Sequence, residues 1–228
     1  MKTILARKLL GGAAWRFVLL GVGLSAFDLS TTAWAQTPKR SRQESSVFTS
    51  ADHQFQIRYP SKLKVCSHRD GENPDIWSPD ECMSEIPVCD SSGHAGNVLM
   101  CLAYPGGELR GSEFTAAAFA VSRIENLGAK ECSEKWPRSE TSDIHREEIG
   151  NLKVAAAKAR ESTGAHIEEQ NIYRVYHQKA CYELDVNLTT ALSSAFAPED
   201  APRKLSPTER RDINEMLMQA LAGFRFLK

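Results

Sequence analysis

Residues 167–190, IEEQNIYRVYHQKACYELDVNLTT, restrict the fold more than any other stretch of the chain. Tyr182, Leu184, Val186 and Leu188 alternate there with Cys181, Glu183, Asp185, Asn187 and Thr189, the period-2 pattern of a strand with one buried face. The preceding half must present a matching face. A turn centred on Gln178 and Lys179 puts Tyr173 opposite Leu184 and Val175 opposite Tyr182, both pairs on the apolar side. Arg174 then meets Glu183 on the side the alternation marks as wet, an opposite-charge pair worth ~0.2–1 kcal/mol. Gln178-Lys179 lacks the Asn-Gly or Asp-Gly of a tight hairpin, so a four-residue turn is equally compatible.

Chains of this kind need a compartment as well as a fold. The sequence opens with Lys2, Arg7, Lys8 and Arg16, continues through an apolar run at 17–27, and reaches Ala33-Trp34-Ala35 before Gln36. A basic start, a short apolar segment and small residues before the cut describe a signal peptide over residues 1–35. The expectation is therefore an exported bacterial protein, periplasmic or extracellular, with no stable membrane insertion once the signal is removed. Residues 36–46, with Lys39, Arg40 and Arg42, read as a flexible lead-in, and residues 47–228 as one domain. Cleavage removes four basic residues and one acidic residue from totals of 28 and 29, leaving 24 against 28. So mild an acidic balance gives no support to nucleic acid as a partner.

All six cysteines, Cys66, Cys82, Cys89, Cys101, Cys132 and Cys181, follow the signal, and an even count in an exported chain reads as three disulfides. Sequence alone leaves every connectivity open. The pairing adopted is Cys66–Cys82, Cys89–Cys101 and Cys132–Cys181. Its first two bridges would pin a long polar excursion at both ends, and Cys181 projects from the side of its strand opposite Tyr182, where a helix bearing Cys132 could cover the sheet. A metal reading is weaker: Cys66, His68, Cys82 and Cys89 lack a familiar zinc spacing, and Pro87 separates Cys82 from Cys89 against a redox pair.

Elsewhere, residues 47–49, 55–59 and 63–66 read as short strands. The stretch 67–97 is a cysteine-stapled polar loop whose Asp70, Glu72, Asp75, Asp80 and Glu81 lack the ligand order of a calcium loop. Strands follow at 98–103 and 114–124, then a short helix at 125–136 carrying Cys132. Gly150-Asn151 joins strands at 145–149 and 152–161, although the alanines at 155–159 disfavour the second. Ser206, Pro207 and Glu209 form a helix start in which hydroxyl and carboxylate satisfy free amides reciprocally. Ile213, Met216, Leu217, Ala220 and Leu221 form the helix's apolar face, Gly223 ends it, and Phe224-Arg225-Phe226 is a terminal strand.

The segments FQIRYPSKLKV at 55–65, ACYELDVNL at 180–188 and GFRF at 223–226 behind the closing helix give the chain an order of elements that resembles the PsbP-like superfamily. The resemblance covers the two ends and the hairpin; the cysteine loop and the segment up to Trp136 depart from it. It implies an α+β fold in which an antiparallel sheet is flanked by helices as an α-β-α sandwich, here disulfide-stabilised. It also implies a binding or accessory role without catalytic apparatus, and it supplies no ligand residues. Independently, the chain has no nucleophile elbow, phosphate loop, dinucleotide fingerprint or His-Glu-x-x-His pair. The expectation is a non-catalytic domain with no cofactor, binding an unknown protein or small molecule. Its rival is a hydrolase assembled in space around one of His53, His68, His94, His145, His166 or His177, all read as lying mostly in loops or turns. The sequon Asn187-Leu188-Thr189 falls inside a strand, which argues against its occupancy.

Overall fold

The computed structural model describes residues 44–51, 54–68, 77–78, 89, 96–136 and 141–227, with backbone alone for 67–68 and 77–78. The expected signal at 1–35, most of the lead-in and most of the cysteine loop, Cys82 included, lie outside these residues. In chain order the elements are β1 (Ser45–Thr49), β2 (Phe55–Pro60), β3 (Lys64–His68), β4 (Trp77–Ser78), β5 (Asn97–Ala103), β6 (Phe114–Ile124), α1 (Ala129–Glu134), β7 (Ser142–Ile149), β8 (Leu152–Thr163), β9 (His166–His177), β10 (Ala180–Ala191), α2 (Pro207–Ala222) and β11 (Phe224–Phe226). Eight strands form one antiparallel sheet in the order β4-β3-β5-β6-β10-β9-β8-β7, and β1-β2-β11 form a second.

The β9–β10 ladder has the register read from the sequence, with Tyr173 opposite Leu184, Arg174 opposite Glu183 and Tyr176 opposite Cys181. The connection has two residues, not four. Gln178 and Lys179 take φ of 46° and 66°, because a primed turn is the one whose twist matches the flanking strands. Gly150 supplies the positive φ, 59°, that the expected β7–β8 turn requires.

One face of the large sheet carries Leu102, Phe119, Val121, Tyr182, Leu184 and Val186. Against it pack Ile213, Leu217 and Leu221 of α2 and Phe55, Ile57 and Phe224 of the small sheet, making the main core. Arg58 N–H donates to the Gly223 carbonyl at 3.0 Å, and a Cβ on Gly223 would stand 1.9 Å from the Arg58 carbonyl oxygen. Glycine is needed there for close approach, which lets α2 turn directly into β11 beside β2.

Several expectations are corrected. Ser45 and Ser46, assigned to the lead-in, are paired in β1. The loop set at 67–97 gives up Ser67 and His68 to β3 and Asn97 to β5, and Trp77–Ser78 pairs back on β3. The helix expected at 125–136 shrinks to Ala129–Glu134, because Asn126 takes φ 62° and Gly128 is extended. The alanines of β6 and β8 do not break their strands: both strands lie between sheet neighbours, and tertiary pairing overrides intrinsic preference. The protein is therefore an α+β structure dominated by antiparallel sheet, with α2 on one face and a six-residue α1 on the other, rather than a sheet evenly flanked by helices.

The side of β9–β10 read as wet is also corrected. Arg174 and Glu183 are 2% and 3% exposed. Arg174 Nε and Nη2 donate to Glu183 Oε2 at 2.8 and 2.6 Å, Nη1 donates to the Lys135 carbonyl at 2.6 Å, and the guanidinium lies 4.9 Å from the Trp136 ring centre. The segment around α1 covers that end of the sheet, and Cys132–Cys181 fastens it there with sulfurs 2.05 Å apart. Cys89 is bridged to Cys101. Cys66 is also disulfide-bonded, and its expected partner Cys82 lies outside the described residues.

Candidate binding groove

The start of α2 is fixed by its own sequence. Ser206 Oγ accepts from Glu209 N–H at 3.2 Å, and Glu209 Oε2 accepts from Ser206 N–H at 2.8 Å. Arg203 adds a two-pronged ion pair to the same carboxylate, with Nη1 at 2.9 Å and Nη2 at 2.7 Å. The Arg203 hydrogen bond, followed by those from Ser206, holds the Glu209 carboxyl down at about 2. From this anchored turn Arg210 reaches over the sheet, donating to Glu169 of β9 at 2.5 Å and to Glu113 at 3.2 Å. Glu113 also accepts from the Leu205 amide at 3.2 Å, so the two acids bracket the arginine between the helix and the sheet.

A groove of about 440 Å³ opens between this half of α2 and strands β9 and β10. Val186, Leu188, Ile213 and Leu217 form its floor, and Glu169, Asn171, Arg210, Arg211 and Asn214 stand at its margin. The margin's charges are largely spent on one another: Arg210 on Glu169 and Glu113, and Arg211 on Asp212 and Glu215 at 3.5 and 3.7 Å. An apolar floor with a neutralised polar rim suits a ligand that has an apolar body and a few hydrogen-bonding groups.

Asn171 also borders a second depression, of about 360 Å³, lined by Asp143, His145, Glu147, Lys158 and Tyr173. His145 Nδ1 is 2.7 Å from the Asp143 carbonyl oxygen, its Nε2 is 3.8 Å from Glu147, and Lys158 Nζ donates to Asp143 at 2.7 Å. Burial above all, with Glu147 and Asp185 nearby, pushes the Tyr173 phenol up to about 12, so it stays a neutral hydrogen-bonding group. This set can move protons, yet it contains no serine, threonine or cysteine to act as nucleophile.

His145 lies in β7 and His177 in β9, within the strands read at 145–149 and before the Gln178-Lys179 turn, and His166 is the first residue of β9. His166 Nδ1 is 3.4 Å from Thr115 Oγ1, and no carboxylate among the described residues is hydrogen-bonded to that imidazole. His177 stacks on Phe226 with ring centres 3.8 Å apart. His53 and His94 lie outside the described residues, and only the backbone of His68 is described.

The Cys66, Cys89 and Cys101 sulfurs lie within 4.8 Å of one another. All three belong to disulfides, and a disulfide sulfur is not the thiolate that zinc requires. Asn187 of the sequon is 4% exposed within β10. No helix among the described residues is long and apolar enough to cross a membrane. The sequence reading identified every apolar residue that α2 buries, but not the groove, whose margin comes from polar residues of β9 and α2, two elements distant in sequence.

No protein-family model matches the chain, and no curated protein matches it. Two solved structures resemble it at a distance. One is a protein from Bacteroides thetaiotaomicron VPI-5482, 12% identical, matched over 82% of this chain and 49% of its own at a TM-score of 0.40. The chain thus spans about half the length of that protein. The other is LpqN of Mycobacterium tuberculosis, involved in cell envelope biogenesis, 7% identical, matched over 81% of this chain and 91% of its own at a TM-score of 0.41.

Proposed function

We propose that this is an exported, non-catalytic binding or accessory domain of the PsbP-like kind, released from a signal at residues 1–35, whose groove beside α2 takes a small amphipathic ligand. The observation that carries the reading is the groove itself, with Val186, Leu188, Ile213 and Leu217 beneath a rim whose arginines are already paired. Its volume of about 440 Å³ falls within the usual range for small-molecule sites. Export is supported by the basic and apolar start of the chain together with the disulfides. The PsbP-like reading is supported by the closing helix that packs on the sheet and passes through Gly223 into a terminal strand.

The test uses the fluorescent amphiphile anilinonaphthalene sulfonate and a panel of medium-chain fatty acids that compete with it. Saturable binding at one site per chain is expected, together with its loss in Asn214→Trp, which fills the groove from an exposed rim position. Binding unchanged in that variant sinks the assignment of the groove. Ester, peptide or glycan turnover abolished by replacing His145 or His166 would establish the hydrolase reading instead.

A further inference from the structure

The groove beside α2 does not end at β9. Asn171, which lines it, also lines the depression over β7–β9 that holds His145, Glu147, Lys158 and Tyr173. The ladders put these side chains on one face of the sheet. Val186 of β10 stands opposite Asn171, and Asn171 opposite Lys158 of β8; Leu184 stands opposite Tyr173, Tyr173 opposite Ala156, and Ala156 opposite His145 of β7. Glu147 follows two residues after His145 and so shares its face. The apolar floor of the groove is therefore continued by a polar end on β7, two strand spacings or roughly 10 Å across the sheet from β9.

That polar end presents two acceptors with no donor between them. The β7 ladder shifts register after Ser142, Asp143 takes φ 54°, and the Asp143 carbonyl oxygen lies 2.7 Å from His145 Nδ1. A carbonyl only accepts, so Nδ1 carries the hydrogen, and in the neutral ring Nε2 offers a lone pair. Nε2 stands 3.8 Å from Glu147 Oε1, beyond hydrogen-bond length. Among the described residues nothing donates to Glu147, and no lysine or arginine forms an ion pair with it. Lys158, the cation lining the same depression, donates to Asp143 at 2.7 Å. Arg210 and Arg211, the cations lining the groove, are likewise paired with acids, so no cation along either hollow is left for an anionic head. The His145 and Glu147 side chains are 45% and 39% exposed and so open to a ligand.

We infer that the preferred ligand of this groove is a long-chain primary amine, its chain on the apolar floor and its ammonium between Glu147 Oε1 and His145 Nε2. This rests on the groove reading proposed above and names the head group that reading leaves open. An alkylammonium carries three N–H donors and a positive charge, which suits a carboxylate and an imidazole lone pair side by side. A carboxylate head would meet only acceptors there, and a phosphate would find every lining arginine and lysine already paired. A trimethylammonium head has the charge but no hydrogen to donate.

The test uses calorimetry and displacement of anilinonaphthalene sulfonate from the oxidised protein at mildly alkaline pH, where an alkylamine keeps its proton. Decylamine, decanol, decanoate, decyltrimethylammonium and decanoyl lysophosphatidylethanolamine are compared. Decylamine is expected to bind tightest, by about tenfold or more over decanol and decanoate. In Glu147→Gln and in His145→Leu that preference should largely disappear while decanol binds as before. Glu148→Gln removes the same charge from the other face of β7 and should keep the preference. Asn214→Trp should weaken every ligand. Equal binding of decylamine and decanol, a preference that survives Glu147→Gln or is lost in Glu148→Gln, or tighter binding of the trimethylammonium or lysophospholipid overturns the amine assignment and leaves the groove standing. Failure of all five ligands to bind, or binding untouched by Asn214→Trp, removes the groove and this inference with it.

Discussion

Glu209 is the residue on which the start of α2 converges, since one carboxylate serves Arg203, the Ser206 amide and the Ser206 hydroxyl. These partners, Arg203 foremost, lower its pKa from 4.5 to about 2. A carboxyl held below its unfolded value contributes stability that is present above the unfolded pKa and lost as pH falls toward the folded one. For Glu209 the window runs from about 4.5 down to about 2. The expected outcome is a Tm that declines through this window in the parent protein and declines less in Glu209→Gln, which keeps the reciprocal cap but has no proton to gain. Melting curves at pH steps across the window check it, and identical slopes for the two proteins would remove Glu209 from the acid response. The cap itself was legible from Ser206, Pro207 and Glu209 because a helix start is a local device. Arg203 was not, because its contact needs the path of the chain before the helix.

The buried pair Arg174–Glu183 shows where reading by element stops. Period-2 alternation fixed which residues share a face of β10, and the pairing of Arg174 with Glu183 followed from the turn position. Alternation could not report that the face is covered, because the cover comes from Lys135 and Trp136, distant in sequence, and polar side chains on a covered face look the same as polar side chains in water. The groove beside α2 was hidden for the same reason. Its apolar floor was legible as strand and helix periodicity, but its existence depends on how far α2 stands from β9. Covering changes the energetics of the ion pair. On a wet surface, removing one partner costs under ~1 kcal/mol, whereas stranding a desolvated charge costs about 3–5 kcal/mol. Arg174→Leu should therefore destabilise by about 3–5 kcal/mol, and Arg174→Leu with Glu183→Leu by much less, because the double change leaves no stranded charge. Urea denaturation of both variants checks this. A single variant within ~1 kcal/mol of the parent would show that water reaches the pair.

For the whole molecule, the covalent links join parts that the sheet alone leaves separate. Cys89 and Cys101 lie 12 positions apart and tie one end of the cysteine loop onto β5. Cys132 and Cys181 lie 49 apart and fasten the α1 segment to β10, the strand between β6 and β9. The face from which Cys181 bonds was legible from direction, since a residue beside Tyr182 in a strand must point to the opposite face, whereas its partner was left to it by pairing the other four cysteines. The bridge sits in a small cluster with Ile124 and Leu127, apart from the main core, so few apolar contacts would hold the α1 segment in place without it. Chain entropy scales weakly with loop length, giving about 4 kcal/mol for the longer link and about 3 kcal/mol for the shorter. The two pairs nonetheless differ in what depends on them. Cys132→Ala with Cys181→Ala should lower stability by up to ~4 kcal/mol and also expose Arg174, because the α1 segment supplies the Lys135 carbonyl and the Trp136 ring that enclose it. Cys89→Ala with Cys101→Ala should cost about 3 kcal/mol while leaving that enclosure intact. Hydrogen exchange at the β9 amides around Arg174, read beside denaturation curves, separates the two. Faster exchange in the first variant alone is the expected result. Equal exchange in both would mean that α1 stays docked through its packing and that its disulfide acts only on the unfolded chain.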